Sequence, residues 1–503
     1  MTKLRPLASH LKSKLKLTES SATSTASPTP TPYYLFNATN NRIRDEIHFA
    51  TSSDVTQAIN DASSAQEQWC RNYTPSQRAQ IIQNASSILA RRSDEITQQE
   101  VKDTARAKSE IKGYDVPSAV RHLSYYANMP SILSNGTYHD IGHSPSFAYV
   151  KREPIGVTAG IGAWNYPLMN AVAKSAPALS FGNAMLFKPS ELTPNSALIL
   201  AQIYEEAGVP PGVFQVLLGD GSIGSELVKS PVVSKVSFTG SVETGIKLRQ
   251  AQAASTCTST NFQKMTLELG GKSPLIIMDD ANLDEAVTGA MQANWYSNGQ
   301  VCSNGTRVFV HEYLKEEFLE KLVERTKLLK IGDPMQEDTV IGPMVSENHM
   351  NKVLDYIDIG KNVDKAHLFY GGERVGGCLE HGFYLTPAIF TDCNDQMRIV
   401  QEEVFGMLMS VLTFQDEEEV LSRANATNFG LAAGIFTNDI KRAHRMASYL
   451  KAGTVWINNY NLGPVELPWG GCKHSGVGRE NGSYDAAFEW TVSKSVYVEM
   501  NSL

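Results

Sequence analysis

The chain has 503 residues, a hydrophobic fraction of 42% and a formal net charge of −8. That length is ample for two or three domains, and the apolar content is that of a globular protein with a sizeable core. The acidic balance leaves no footprint for nucleic acid or an anionic membrane surface, and no apolar run approaches the length of a bilayer span, so a small-molecule partner is expected.

Residues 1–32 stand apart. Lys3, Arg5, Lys12, Lys14 and Lys16 precede the first acid, Glu19, while Leu4, Leu7, Leu11 and Leu15 share one helical face ahead of a Ser/Thr/Pro-rich run. We expect a disordered tail on a cytoplasmic protein, with a mitochondrial targeting segment as the alternative. The first folded elements are expected to be helices. Asp54 is the candidate cap of one running to about Trp69, and Pro75 opens a second whose Ile81, Ile82, Ala85, Ile88 and Leu89 form an apolar stripe.

After Pro154 the pattern changes. Short apolar runs at 156–162, 184–187, 213–218 and 235–238 alternate with helical segments near 168–181, 193–207, 222–229 and 242–253. This alternation predicts an α/β fold with a parallel, doubly wound sheet and ligands off the carboxyl ends of its strands. A second α/β block follows: strands at 273–278, 307–310, 407–414 and 454–458, and helices at 283–297 and 313–329. Segments 131–151 and 491–498 alternate as solitary strands, whose exposed edges are expected to pair with another chain.

The stretch 262–307 carries the chemistry. Glu268 lies in Thr-Leu-Glu-Leu-Gly-Gly, where the backbone turns freely and can approach a ligand, and Cys302 lies in Gly-Gln-Val-Cys-Ser-Asn-Gly. A thiol and a carboxylate on separate loops of one core can divide an acyl transfer, the first attacking a carbonyl and the second activating water. An isolated buried cysteine and a surface glutamate would be the plain alternative. Six scattered cysteines without a CxxC pair suggest neither a metal site nor a disulfide framework.

The flanking motifs decide between these. Ala-Trp-Asn-Tyr-Pro with Asn165, Phe-Lys-Pro-Ser-Glu with Lys188, Phe-Thr-Gly-Ser at 238–241, Glu-Glu-Val-Phe-Gly at 402–406 and Pro-Trp-Gly-Gly-Cys-Lys at 468–473 stand in the order of an aldehyde dehydrogenase. The resemblance spans about 34–500. It implies a Rossmann-type cofactor domain over 33–130 and 155–266, a catalytic domain over 267–474, and oligomerisation strands at 131–154 and 480–503 in a homotetramer or homodimer. It also implies Cys302 as nucleophile, Glu268 as base for the releasing water, and the Asn165 amide as oxyanion donor. NAD is the implied cofactor, with Lys188 and Glu191 at the adenine ribose, Gly240 and Ser241 at the pyrophosphate, and Trp164, Glu403 and Phe405 completing the site. A carboxylate at 191 accepts from a free 2′-OH and repels a 2′-phosphate.

Within the family, Gln-Val-Cys-Ser-Asn-Gly at 300–305 and Val-Glu-Leu-Pro-Trp-Gly-Gly at 465–471 look most like enzymes of betaine aldehyde and 4-trimethylaminobutyraldehyde. A fixed cation suits aromatic faces, and Tyr166, Trp295, Tyr296 and Trp469 are the candidate cage. Ala173, where many relatives carry tryptophan, Met407, Cys472 and a long stretch at 249–264 depart from the pattern and put substrate preference in doubt. A semialdehyde or broad aliphatic aldehyde dehydrogenase is the runner-up; a cofactor-independent thiol acyl-hydrolase and a non-catalytic structural protein are alternatives of other classes.

Overall fold

In the computed structural model, which describes residues 32–133, 136–142, 146–256 and 262–500, the chain opens with a β-hairpin rather than a helix. Tyr33–Asn37 pairs antiparallel with Arg42–Ile47. The pairing rests on contacts between strands too short and too polar to signal themselves. The first helix, Ser52–Asn72, is capped by Thr51, and Asp54 serves instead as the reciprocal acid of a capping box. Pro75–Arg91 repeats the device with Thr74 and Gln77. Fully buried Ile82 and Leu89 contribute about 2 kcal/mol each, and Trp69 donates its Nε1–H to the Leu179 carbonyl at 2.9 Å.

These helices cover a six-stranded sheet in the order Gly476–Val477, Lys264–Glu268, Val233–Thr239, Val157–Ile161, Ala184–Lys188, Phe214–Val216. Five strands run parallel, and two of them, Val157–Ile161 and Ala184–Lys188, are buried at every residue, as befits a sheet covered on both faces. The sixth, Gly476–Val477, returns from the far end of the chain to pair antiparallel beside Glu268. A seven-stranded sheet follows in the order His367–Tyr370, Ala388–Thr391, Leu408–Phe414, Arg307–His311, Pro274–Ile277, Ala432–Phe436, Thr454–Ile457. All its pairs are parallel except the first.

The helix expected at 283–297 ends at Asn294 and gives way to a tight turn, Tyr296–Gly299. Helix Val116–Leu133 occupies the start of the segment expected to be strand. Beyond it, Thr137–Asp140, Phe147–Pro154 and Thr491–Val498 form a separate three-stranded antiparallel sheet. The tail at 1–31, residues 257–261 of the long stretch, and 501–503 lie outside the described residues.

Candidate active site

Glu268 ends its strand against the opening of helix Val242–Thr256, its carbonyl accepting from the Gly240 N–H at 3.0 Å. Its side chain is buried, with no hydrogen-bond partner at either carboxylate oxygen. Burial, and then the nearby Glu480 carboxylate, hold this carboxyl well above its ordinary range against the pull of Lys174 and Arg479. Lys174 is bound to Glu480 at 2.8 Å and to Ser237 at 2.9 Å.

Cys302 is delivered by a strained turn. Ser297, Asn298 and Gly299 follow one another at φ 54°, 56° and 73°, a left-handed run that costs about 1 kcal/mol or more at each non-glycine position. Its surroundings hold it: the Ser297 N–H donates to the Glu110 carboxylate at 3.1 Å, Arg106 Nε donates to Ser297 Oγ at 2.9 Å, and Asn298 Nδ2 donates to the Pro343 carbonyl at 3.0 Å. Burial pushes the Cys302 thiol up to about 12, with Glu403 and Glu268 adding to the rise; the N–H groups of Cys302 and Ser303 act in the opposite sense.

Asn165 follows strand Val157–Ile161 and reaches the same loop, its Nδ2 donating to the Gln300 carbonyl at 2.9 Å. The amide's second hydrogen is available. Arg106 Nη1 donates to the Asn165 carbonyl at 3.3 Å, so one buried guanidinium touches both arms of the site.

Asn165, Glu268 and Cys302 line two cavities at once. One, of about 400 Å³, runs over the carboxyl ends of the six-stranded sheet past Lys188, Glu191, Gly240, Ser241, Glu403 and Phe405. There Lys188 and Glu191 pair at 3.1 Å. The Gly271 N–H donates to Glu403 at 3.0 Å; burial nevertheless pushes that carboxyl up to about 6. Phe405, at φ 64°, stands edge-on to Trp164 at 5.2 Å. His349 and Lys352, one turn apart on helix Glu347–Asp358, also reach this cleft. Burial pushes His349 down to about 4, leaving it neutral, and its Nε2–H donates to the Phe405 carbonyl at 2.7 Å. No motif marked these two residues; their amphipathic spacing was the available signal.

The second cavity, of about 190 Å³, is walled by Tyr166, Ala173, Tyr296 and Trp469 among others. The Tyr166 hydroxyl meets Ser297 Oγ at 2.7 Å, and its ring lies 4.0 Å from the Arg106 guanidinium carbon. Trp295 corrects an expectation. It is turned away into the core of the seven-stranded sheet, its Nε1–H donating to Thr326 Oγ1 at 3.2 Å, because the turn after Asn294 sends neighbouring side chains to opposite sides. Met407 is core, and Cys472 donates to the Gly430 and Lys451 carbonyls; neither lines the two cavities. Among the described residues there is no cluster of three or more His, Cys, Asp or Glu able to hold a metal ion, and no helix is long and apolar enough to cross a membrane.

Residues 25–496 match the aldehyde dehydrogenase family. The chain belongs to that family. It is 47% identical over 471 residues to a betaine aldehyde dehydrogenase of Brucella anthropi, covering 93% of this chain and 94% of that one. Among solved structures it resembles the NAD+ complex of a Bacillus cereus aldehyde dehydrogenase, with a TM-score of 0.89 at 38% identity and 94% of both chains covered. It also resembles a Staphylococcus aureus betaine aldehyde dehydrogenase in complex with NAD+, with a TM-score of 0.90 at 34% identity, covering 94% of this chain and 92% of that one. An aldehyde dehydrogenase needs a nucleophile reachable from two sides, and the two clefts meeting at Cys302 supply that arrangement.

Proposed function

We propose that this protein oxidises an aldehyde with a cationic tail, betaine aldehyde or 4-trimethylaminobutyraldehyde, to its acid with NAD. The observation that carries the reading is the position of Cys302, Glu268 and Asn165 on the wall common to both cavities. The residues of the larger cleft fit the cofactor. Lys188 and Glu191 would hold the adenine ribose, the N–H groups at Gly240 and Ser241 the pyrophosphate, and Glu403 the other ribose, with Trp164 and Phe405 as wall. A dinucleotide bound there supplies a hydride acceptor.

Cys302 as thiolate adds to the aldehyde carbon, and the resulting oxyanion is held by the free Asn165 N–H and the Cys302 backbone N–H, each such donor being worth roughly 3 kcal/mol. Loss of hydride from this adduct leaves a thioester on Cys302. Glu268 takes a proton from water, the hydroxide attacks the thioester carbonyl, and the acid leaves as the thiol is regenerated. Tyr166, Tyr296 and Trp469 offer aromatic faces to the cationic tail.

The six-stranded sheet would form the cofactor domain and the seven-stranded sheet the catalytic one. We further propose a homodimer or homotetramer built through the three-stranded sheet, where Tyr138 and Tyr497 are exposed; a monomer in sedimentation equilibrium would exclude it. For the cytoplasmic location, an intact N-terminus on the mature protein is expected; removal of 1–32 would point to the mitochondrial matrix.

The deciding experiment follows reduced-cofactor absorbance with betaine aldehyde, 4-trimethylaminobutyraldehyde and an uncharged aliphatic aldehyde, each with NAD and NADP, alongside Cys302→Ala. Highest efficiency with a quaternary aldehyde and NAD, abolished by Cys302→Ala, is expected. An uncharged aldehyde turned over equally well would select the broad aliphatic reading, and turnover surviving in Cys302→Ala would remove the mechanism.

A further inference from the structure

Beyond the three aromatic walls, the smaller cavity extends past Ala173 and Gly463 to a corner formed by Tyr114, His122 and Asn481. Two missing side chains open that corner: Ala173 has only its methyl group, and Gly463 none. His122 sits on helix Val116–Leu133, and its Nδ1 lies 2.8 Å from the Ser118 carbonyl. A carbonyl oxygen only accepts, so Nδ1 carries the proton and Nε2 presents a lone pair. That Nε2 is buried and has no hydrogen-bond partner. Asn481, held at φ 61° next to Glu480, has a buried Oδ1 that is likewise unpartnered. The Asn481 side chain faces the His122 ring closely enough to act on its protonation, with the Glu466 carboxylate adding in the same sense and Arg121 opposing. Two acceptors cannot satisfy one another, and a folded protein rarely buries such a pair without a use for it.

We propose that His122 and Asn481 receive the cationic tail of the aldehyde, as two neutral acceptors that favour an ammonium retaining an N–H over a fully methylated one. The inference rests on the aldehyde dehydrogenase reading above and refines its substrate class. A protonated primary amine donates to His122 Nε2 and Asn481 Oδ1 together, and hydrogen bonds to a charged group are about twice as strong as neutral ones. A trimethylammonium gains only the charge attraction and the aromatic faces, and a tert-butyl group gains neither.

Three aldehydes of equal chain length separate these contributions: 3-aminopropanal, 3-(trimethylammonio)propanal and their uncharged carbon analogue 4,4-dimethylpentanal. KM and kcat would be measured for each with the full-length enzyme and NAD. The variants are His122→Leu, His122→Gln, which restores an acceptor, and Asn481→Gly, which removes the amide while tolerating the left-handed backbone. The ratio of KM for 3-aminopropanal to KM for 4,4-dimethylpentanal is expected to rise roughly tenfold or more in His122→Leu and in Asn481→Gly, with partial recovery in His122→Gln and no matching change in the kcat ratio. The trimethylated aldehyde should show a smaller rise. Equal KM changes for all three tails, or a uniform fall in kcat with the KM ratio preserved, would overturn the proposal and leave the dehydrogenase reading intact. Failure of the unmutated enzyme to reduce NAD with any of the three would remove the dehydrogenase reading and this proposal with it.

Discussion

Glu100 Oε1 accepts a hydrogen bond from the Leu168 N–H at 2.9 Å across 68 positions of sequence. Glu100 sits in helix Ser93–Thr104, and Leu168 is in the first turn of helix Pro167–Ser180, directly after Asn165 and Tyr166. One turn further along, Asp103 accepts from the Asn195 N–H at 3.0 Å and so caps helix Asn195–Ala207, which follows Lys188 and Glu191. Two acids on consecutive turns of one helix therefore set where two arms of the site begin.

Removing the first cap has a direct consequence. Glu100→Ala leaves an N–H unsatisfied in a dry interior and is expected to cost about 1–3 kcal/mol in chemical denaturation, with a fall in kcat as Asn165 loses its anchor. Glu100→Gln keeps an acceptor and should retain most of both. An alanine variant as stable and active as the parent would show that the contact is incidental.

The same residue has a pH signature. Burial, and then Asp115, push Glu100 up to about 8 from an ordinary 4.5. The folded protein thus holds this proton more tightly than the unfolded chain, and its contribution to stability is complete below the unfolded value and lost as pH rises towards the folded one. Between these limits Glu100→Gln should lose stability less steeply with rising pH than the parent. Parallel profiles would contradict the shift.

Glu268 and Cys302 both need to lose a proton to act, and burial raises both. Turnover should accordingly climb on the alkaline side of neutrality. Glu268→Gln should still give a first burst of reduced cofactor followed by a stall at the thioester, which rapid-mixing absorbance would show; a variant with no burst would place Glu268 before, not after, hydride loss.

Glu191 offers a cofactor test. Replacing it with Thr removes the charge facing a 2′-phosphate while Lys188 remains, and the preference for NAD over NADP should fall by roughly tenfold or more. An unchanged ratio of kcat/KM would place the ribose elsewhere.

Gly270 tests the other end of the cleft. A Cβ there would collide with the Glu403 carboxylate. Gly270→Ala should displace Glu403 from the Gly271 N–H and raise KM for NAD well above any change in KM for aldehyde. Equal changes in the two constants would mean that the loop, not Glu403, had moved.

Much of this was open to reading in the chain itself. The strand at 235–238 and the helix after Asp54 declare themselves by apolar runs and by period, and Glu268 and Cys302 by the glycines and small residues around them. Trp295 and the hairpin at the start did not. Whether Trp295 faces a cavity or a core depends on three left-handed residues after it, and no local propensity favours those. Arg106 and Glu110 were silent for the same reason: they act on Ser297, 191 and 187 positions away.

By itself the amino-acid order determined the alternation of strands and helices, the family and the reactive side chains, because period, composition and motif are local properties that survive in a linear string. Only the tertiary structure decided that Cys302, Glu268 and Asn165 share a wall between two cavities, and that Glu100, His349, His122 and Asn481 stand around them. Those positions follow from packing between distant segments, where burial removes water and the direction of a single hydrogen bond determines what a side chain can do.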